Sequence, residues 1–66
     1  MEPLFYRPKD AAVVLGISRT RVFRLIKTGE LKSIKDEGYR LVPRWALHEF
    51  ARALESKAGL PEREAA

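Results

Sequence analysis

Residues 18–29 read Ser18-Arg19-Thr20-Arg21-Val22-Phe23-Arg24-Leu25-Ile26-Lys27-Thr28-Gly29. Val22, Leu25 and Ile26 recur at the i, i+3, i+4 spacing of one buried helical face. Ser18 is a strong N-cap, and Gly29 suits the left-handed residue that closes a helix. The spacing predicts a helix over about Arg19 to Thr28. Its outward positions are Arg19, Thr20, Arg21, Arg24 and Lys27, and no acid occurs from Arg19 to Gly29. Arg19 and Arg21 occupy the first turn, where the positive end of the helix dipole disfavours each cation by about 0.3–1 kcal/mol. Glu or Gln at position 21 would instead complete a capping box with Ser18. Local stability therefore argues against this arrangement, and a phosphate or base-edge acceptor supplied from outside would offset the loss. A helix facing only solvent would place acids there.

The flanking segments extend the pattern. Upstream, Pro8 suits the first position of a helix, Asp10 sits in its first turn, and Ala11, Ala12, Val14 and Leu15 give an apolar face ending at Gly16. That helix is about two turns long. Downstream, Leu31, Ser33-Ile34-Lys35 and Tyr39-Arg40-Leu41-Val42 flank Asp36-Glu37-Gly38, a hairpin with a three-residue loop ending in Gly. Pro43 then starts a further helix with a stripe of Leu47, Phe50, Ala51, Leu54 and Ala58, before Gly59 and Pro61. A short helix, a Gly-containing turn and a second helix make a helix-turn-helix, and the hairpin makes it winged. The expected class is mainly α with a small β-hairpin: a winged helix-turn-helix with a two-stranded wing and a C-terminal helix. Residues 1–5 are expected to be an N-terminal extension, 6–58 the domain, and 59–66 a disordered tail.

Length and composition bound the function. The chain has 66 residues, 13 Lys or Arg against 9 Asp or Glu, a net charge of +4 and no Cys. Chains this short bury roughly 60% of their unfolded surface, enough for one modest core and too little for an enclosed catalytic pocket. Without cysteine there is no disulfide scaffold, thiolate metal site or thiol nucleophile. The longest apolar run, Ala11 to Leu15, falls far short of the ~20 residues that span a bilayer. No basic-then-apolar targeting pattern opens the chain, so the expected location is cytoplasmic. The charge is unevenly spread: residues 5–45 carry ten Lys or Arg against four acids, a local net of +6, while the segment from Ala46 onward nets −1. Such a bias is the footprint of a polyanion binder, although a solvated basic face is its ordinary alternative.

The chemistry of each basic residue suits duplex DNA. Arginine makes bidentate hydrogen bonds to guanine O6 and N7, which fits Arg19, Arg21 and Arg24, the last reaching either base or backbone. Thr20 meets a phosphate or a thymine methyl group. Lys27, further along, meets phosphate as a mobile point charge. Lys35 and Arg40 flank the hairpin loop and either straddle a phosphate, enter the neighbouring minor groove, or stand as ordinary exposed strand residues. Phe23 lies off the Val22-Leu25-Ile26 face, so it either supports the core against the wing, the favoured reading, or touches DNA sugars.

The residues from Arg7-Pro-Lys-Asp-Ala-Ala through Leu-Gly-Ile-Ser-Arg-Thr-Arg-Val-Phe-Arg-Leu-Ile-Lys-Thr-Gly-Glu-Leu to Tyr39-Arg-Leu-Val-Pro-Arg resemble the MerR-like winged helix-turn-helix domains of phage excisionases and small bacterial regulators. The resemblance spans about residues 6–54. It implies double-stranded DNA as partner, with the Ser18 to Lys27 helix in the major groove. It also implies recognition contacts from Arg19, Thr20, Arg21 and Arg24, and basic wing residues at Lys35 and Arg40. Full MerR-type sensors add a dimerising helix and an effector domain that do not fit after Phe50, so no small-molecule effector is expected. Some stand-alone relatives bind repeated sites head to tail, and this chain is more similar to those. A recombinase or the transcription machinery is the implied further partner.

Two positions depart from the family pattern. Arg7 stands where a Ser or Thr usually caps the first helix, leaving that end without a side-chain cap at a cost of about 1 kcal/mol, unless Arg7 itself holds a phosphate. Asp36-Glu37 replaces a Gly-rich or basic wing tip. Its carboxylates repel phosphate, which argues against deep minor-groove insertion and leaves a basic surface on a neighbouring protomer as the alternative.

The remaining candidates have ordinary readings. His48 has no Cys or second His to complete a metal site and reads as an exposed helical residue. Glu49 and Glu55 flank Arg52 at ion-pairing distance rather than forming an acid/base pair, and no catalytic constellation or cofactor site emerges. Trp45 lies outside the Leu47-Phe50-Leu54 stripe and either covers the hairpin, as favoured, or marks a protein interface. The expectation is a non-enzymatic, sequence-specific DNA-binding protein, a small regulator or an excisionase-like factor. The rival reading is a protein-interaction module whose basic face docks an acidic partner.

Overall fold

The computed structural model describes residues 2–59. Its elements run β1 (Phe5–Tyr6), α1 (Pro8–Leu15), α2 (Arg19–Thr28), β2 (Ile34–Asp36), β3 (Tyr39–Pro43) and α3 (Arg44–Lys57). Three helices and a three-stranded antiparallel sheet ordered β1-β3-β2 make the winged helix-turn-helix expected from the sequence.

Local signals set most boundaries. Pro8 opens α1, and Arg7 at its N-cap makes no side-chain capping bond. At the other end Gly16 takes the left-handed conformation, φ 73°. Gly16 N–H then donates to the carbonyls of Ala12 and Val13, and Ile17 N–H donates to Ala12, 3.1 Å. This Schellman arrangement turns the chain tightly enough for Ile17 to pack on the core. Ser18 caps α2 as expected, its Oγ accepting from Arg21 N–H at 3.1 Å. Gly29 closes α2, and Leu31 N–H donates to Leu25 O at 3.1 Å, which brings Leu31 inward.

The core is Tyr6, Ala11, Ala12, Val22, Leu25, Leu31, Val42, Ala46, Leu47 and Phe50, with Leu15, Ile17 and Ile26 packed against it. Val22, Leu31 and Val42 are fully buried, and no polar or charged residue is buried among the described residues. Burial of apolar surface at roughly 25 cal/mol per Å² is therefore what holds this fold, with no disulfide or buried ion pair to assist.

Several local expectations are corrected. Val14 is exposed, because Pro8, Ala11, Ala12 and Leu15 form the inward stripe of the short α1 and Val14 lies about 110° from its centre. Leu31 belongs to no strand and plugs the core instead. The wing loop has two residues, not three, since Asp36 pairs with Tyr39. Glu37 and Gly38 both have positive φ, 48° and 85°, which is the left-handed signature of a type I′ hairpin. On α3 the buried residues are Ala46, Leu47 and Phe50, while Ala51 is half-buried and Leu54 and Ala58 are exposed, so the expected stripe is buried only in the first half of the helix.

The N-terminal segment is integrated rather than an extension. β1 pairs with β3 in the register Phe5↔Pro43 and Tyr6↔Val42, and Arg44 N–H donates to Leu4 O at 2.8 Å. Arg44 Nη1 donates to Glu2 O at 3.2 Å, and the Glu2 carboxylate meets His48 Nε2 at 3.1 Å. Desolvation pushes the Tyr6 phenol above its ordinary pKa, and the neighbouring Glu2 carboxylate, which accepts its hydrogen bond, adds to the rise against an opposing Arg44. At the other end Gly59 N–H donates to Ser56 O, 3.1 Å, in the turn that closes α3. The tail expected over 59–66 otherwise lies outside the described residues.

Candidate nucleic-acid interface

The buried side of α2 is Val22 and Leu25, with Ile26 half-buried. At 100° per residue this aims Thr20, Arg24 and Lys27 directly outward, with Arg19 and Phe23 on one flank and Arg21 on the other. All six are exposed. The first turn contains no acid, and none of Arg19, Arg21, Arg24 and Lys27 pairs with a carboxylate among the described residues. Glu30, just beyond the helix, accepts from Thr28 Oγ1 at 3.1 Å rather than meeting a cation. The Ser18 hydroxyl oxygen is engaged as the cap, which leaves its proton available to an acceptor outside the chain.

The wing repeats the pattern. Lys35 and Arg40 face each other directly across the ladder, a like-charge pair that destabilises a hairpin. An anion between them would reverse the sign of that contact. The same strand alternation places Arg40 and Val42 on one face of β3 and Tyr39 and Leu41 on the other. Asp36 and Glu37 form the exposed wing tip.

Arg7, considered above for holding a phosphate, has a partner within the chain. Its guanidinium lies over the Tyr39 ring, 4.7 Å from the centroid. This cation–π contact ties the residue preceding α1 to the wing. No sequence spacing signalled it, because the two residues are far apart in the chain.

Two aromatic expectations are overturned. Phe23 is 50% exposed and gives the core little support. Trp45 is 57% exposed and does not cover the hairpin. It stands opposite Ala46, Leu47 and Phe50 on α3 and lines a shallow groove with Arg44, His48, Glu49 and Arg52. Glu49 does not pair with Arg52, since its carboxylate takes Lys32 Nζ at 3.2 Å. His48 is exposed, as expected, and its partner is Glu2. No helix of the described residues is long and apolar enough to cross a membrane.

Fold and site together define a winged helix-turn-helix DNA-binding domain. The chain belongs to the helix-turn-helix domain family, whose profile matches residues 5–55. It is 35% identical over 46 residues to a probable excisionase of Saccharopolyspora erythraea, an alignment that covers 70% of this chain. The chain spans about half of that relative's length, 47%. No solved structure matches.

Proposed function

We propose that this protein recognises a specific duplex sequence as an excisionase-like factor, bending or marking DNA for a recombinase. In this reading α2 lies in the major groove, and Arg19, Arg21 and Arg24 meet base edges or phosphates, with Thr20 beside them. Ser18 and Lys27 hold the backbone at the two ends of α2. Lys35 and Arg40 straddle a phosphate flanking the groove, while the acidic tip, Asp36 and Glu37, stays clear of the polyanion. Arg7, held on Tyr39, adds positive charge beside the wing.

The observation that carries the reading is the placement of Arg19 and Arg21 at the acid-free N-terminus of α2, where the fold alone is better served by acids. Lys35 opposite Arg40 is a second cost of the same kind. Similarity to a probable excisionase favours recombination over transcriptional regulation. Trp45 and its groove remain available for a protein partner, whether the recombinase or a second copy on a repeated site.

The experiment is selection of bound duplexes from a random pool, followed by a salt titration of the winning site. Log Kd is expected to rise with log salt by about 0.9 per phosphate contacted. Absence of binding to any duplex at low salt would contradict the reading and favour an acidic protein as the partner of the basic face.

A further inference from the structure

We infer that Phe23 is a specificity-determining residue whose ring takes up the C5-methyl group of a thymine in the major groove. The inference rests on the DNA-binding reading above and adds the chemical group that one residue reads.

Phe23 sits on the flank of α2 that also carries Arg19, one turn from Arg19 on one side and from Lys27 on the other, and beside the outward Thr20. Half of its surface is exposed, and that apolar area is stabilised when a partner removes it from water. On DNA those neighbours take hydrophilic partners: phosphates for Lys27, base edges or phosphates for Arg19 and Arg24. None of them suits an apolar ring, but they hold α2 against the groove, which brings the ring to the base edges. There the apolar group that base pairs present is the thymine methyl. Burying it against Phe23 removes apolar surface from water on both sides. The deoxyribose is the competing surface, and being the same on every nucleotide it confers no dependence on the base.

Replacement of thymine by deoxyuridine removes the methyl group and leaves the base's hydrogen-bonding edge unchanged, so it isolates this contact. In the duplex selected from the random pool, each thymine is replaced in turn, and affinity is measured for the wild type, Phe23→Ala, Phe23→Leu and Thr20→Ser. The wild type is expected to lose roughly fourfold at one or two thymines, the value of one buried methyl group. Phe23→Ala is expected to be insensitive at those positions, Phe23→Leu to retain part of the effect, and Thr20→Ser to retain all of it.

Four results overturn the proposal: a selected site without thymine opposite α2, a wild type insensitive at every thymine, sensitivity that survives Phe23→Ala, or sensitivity that disappears with Thr20→Ser. If Phe23→Ala loses affinity for an unrelated duplex as well, thermal unfolding of the variant decides the cause: an unchanged Tm assigns the ring to deoxyribose and also overturns the proposal, and a lowered Tm passes the comparison to Phe23→Leu and Phe23→Met. Failure to select any duplex refutes the DNA-binding reading itself, whereas a selected site with no methyl dependence refutes only the role of Phe23.

Discussion

The outward faces of α2 and α3 are both rich in charge, yet only on α3 do charged side chains find partners among the described residues. On α3, Glu49 is paired with Lys32 and His48 with Glu2, so the helix is tied to the loop after α2 and to the N-terminal segment. On α2, Arg19, Arg21, Arg24 and Lys27 face outward with no carboxylate partner among the described residues, and two of them stand at the end of the helix that disfavours cations. Charge alone does not separate these faces. The difference lies in compensation: on α3 the chain supplies partners for Glu49 and His48, whereas the α2 cations, for which the described residues supply none, are those we assign to DNA. The facing pair Lys35 and Arg40 places the wing with α2.

The largest effect expected from this contrast is on DNA binding. Arg19→Ala with Arg21→Ala should weaken binding to the selected duplex by roughly 100-fold, since each bidentate base contact discriminates by about 1–3 kcal/mol. A loss under tenfold in a fluorescence-anisotropy titration would move α2 out of the groove. Next, Lys35→Ala should weaken specific and unrelated duplexes alike, by several-fold, and reduce the salt slope by about 0.9. A change confined to one sequence would make the wing a base reader and break its assignment to the backbone.

Stability predictions follow with smaller magnitudes. Ser18→Ala removes the Oγ that accepts Arg21 N–H and should cost about 1 kcal/mol, a fall in Tm of roughly 4–8 °C for a domain of this size. The smallest effect is expected on α3: Glu49→Gln breaks an ion pair whose two side chains are more than half exposed. Screening limits that pair to under about 1 kcal/mol, and DNA affinity should change less than twofold. A large loss of DNA binding from Glu49→Gln would undo the contrast between the helices.

What the sequence disclosed and what it did not divides along contact range. The ends of α2 were readable because Ser18 and Gly29 act through bonds within a few residues, and the basic face because helical spacing alone locates it. β1 was not, since a two-residue strand carries no periodicity and exists only through pairing with Pro43 and Val42. The hairpin is legible in the sequence but its loop length is not, because Glu37 adopts a left-handed conformation more usual for Asn, Asp or Gly. Arg7 on Tyr39 and Glu49 with Lys32 are contacts between distant segments, invisible to spacing. Phe23 as core support and Trp45 as a cover for the hairpin are not what the fold uses: both rings are about half exposed, and the small Ala46 and the loop residue Leu31 are buried instead.

If the first turn of α2 sacrifices stability for binding, Arg21→Glu separates the two. Glu at this position completes a capping box with Ser18 and places a carboxylate at the positive end of the helix dipole. Thermal unfolding and anisotropy on the same sample should therefore move in opposite senses: Tm rises by several degrees while affinity for the selected duplex falls by roughly 100-fold or more. A variant that binds DNA as the wild type does, or one whose Tm falls along with its affinity, would contradict this trade of stability for binding.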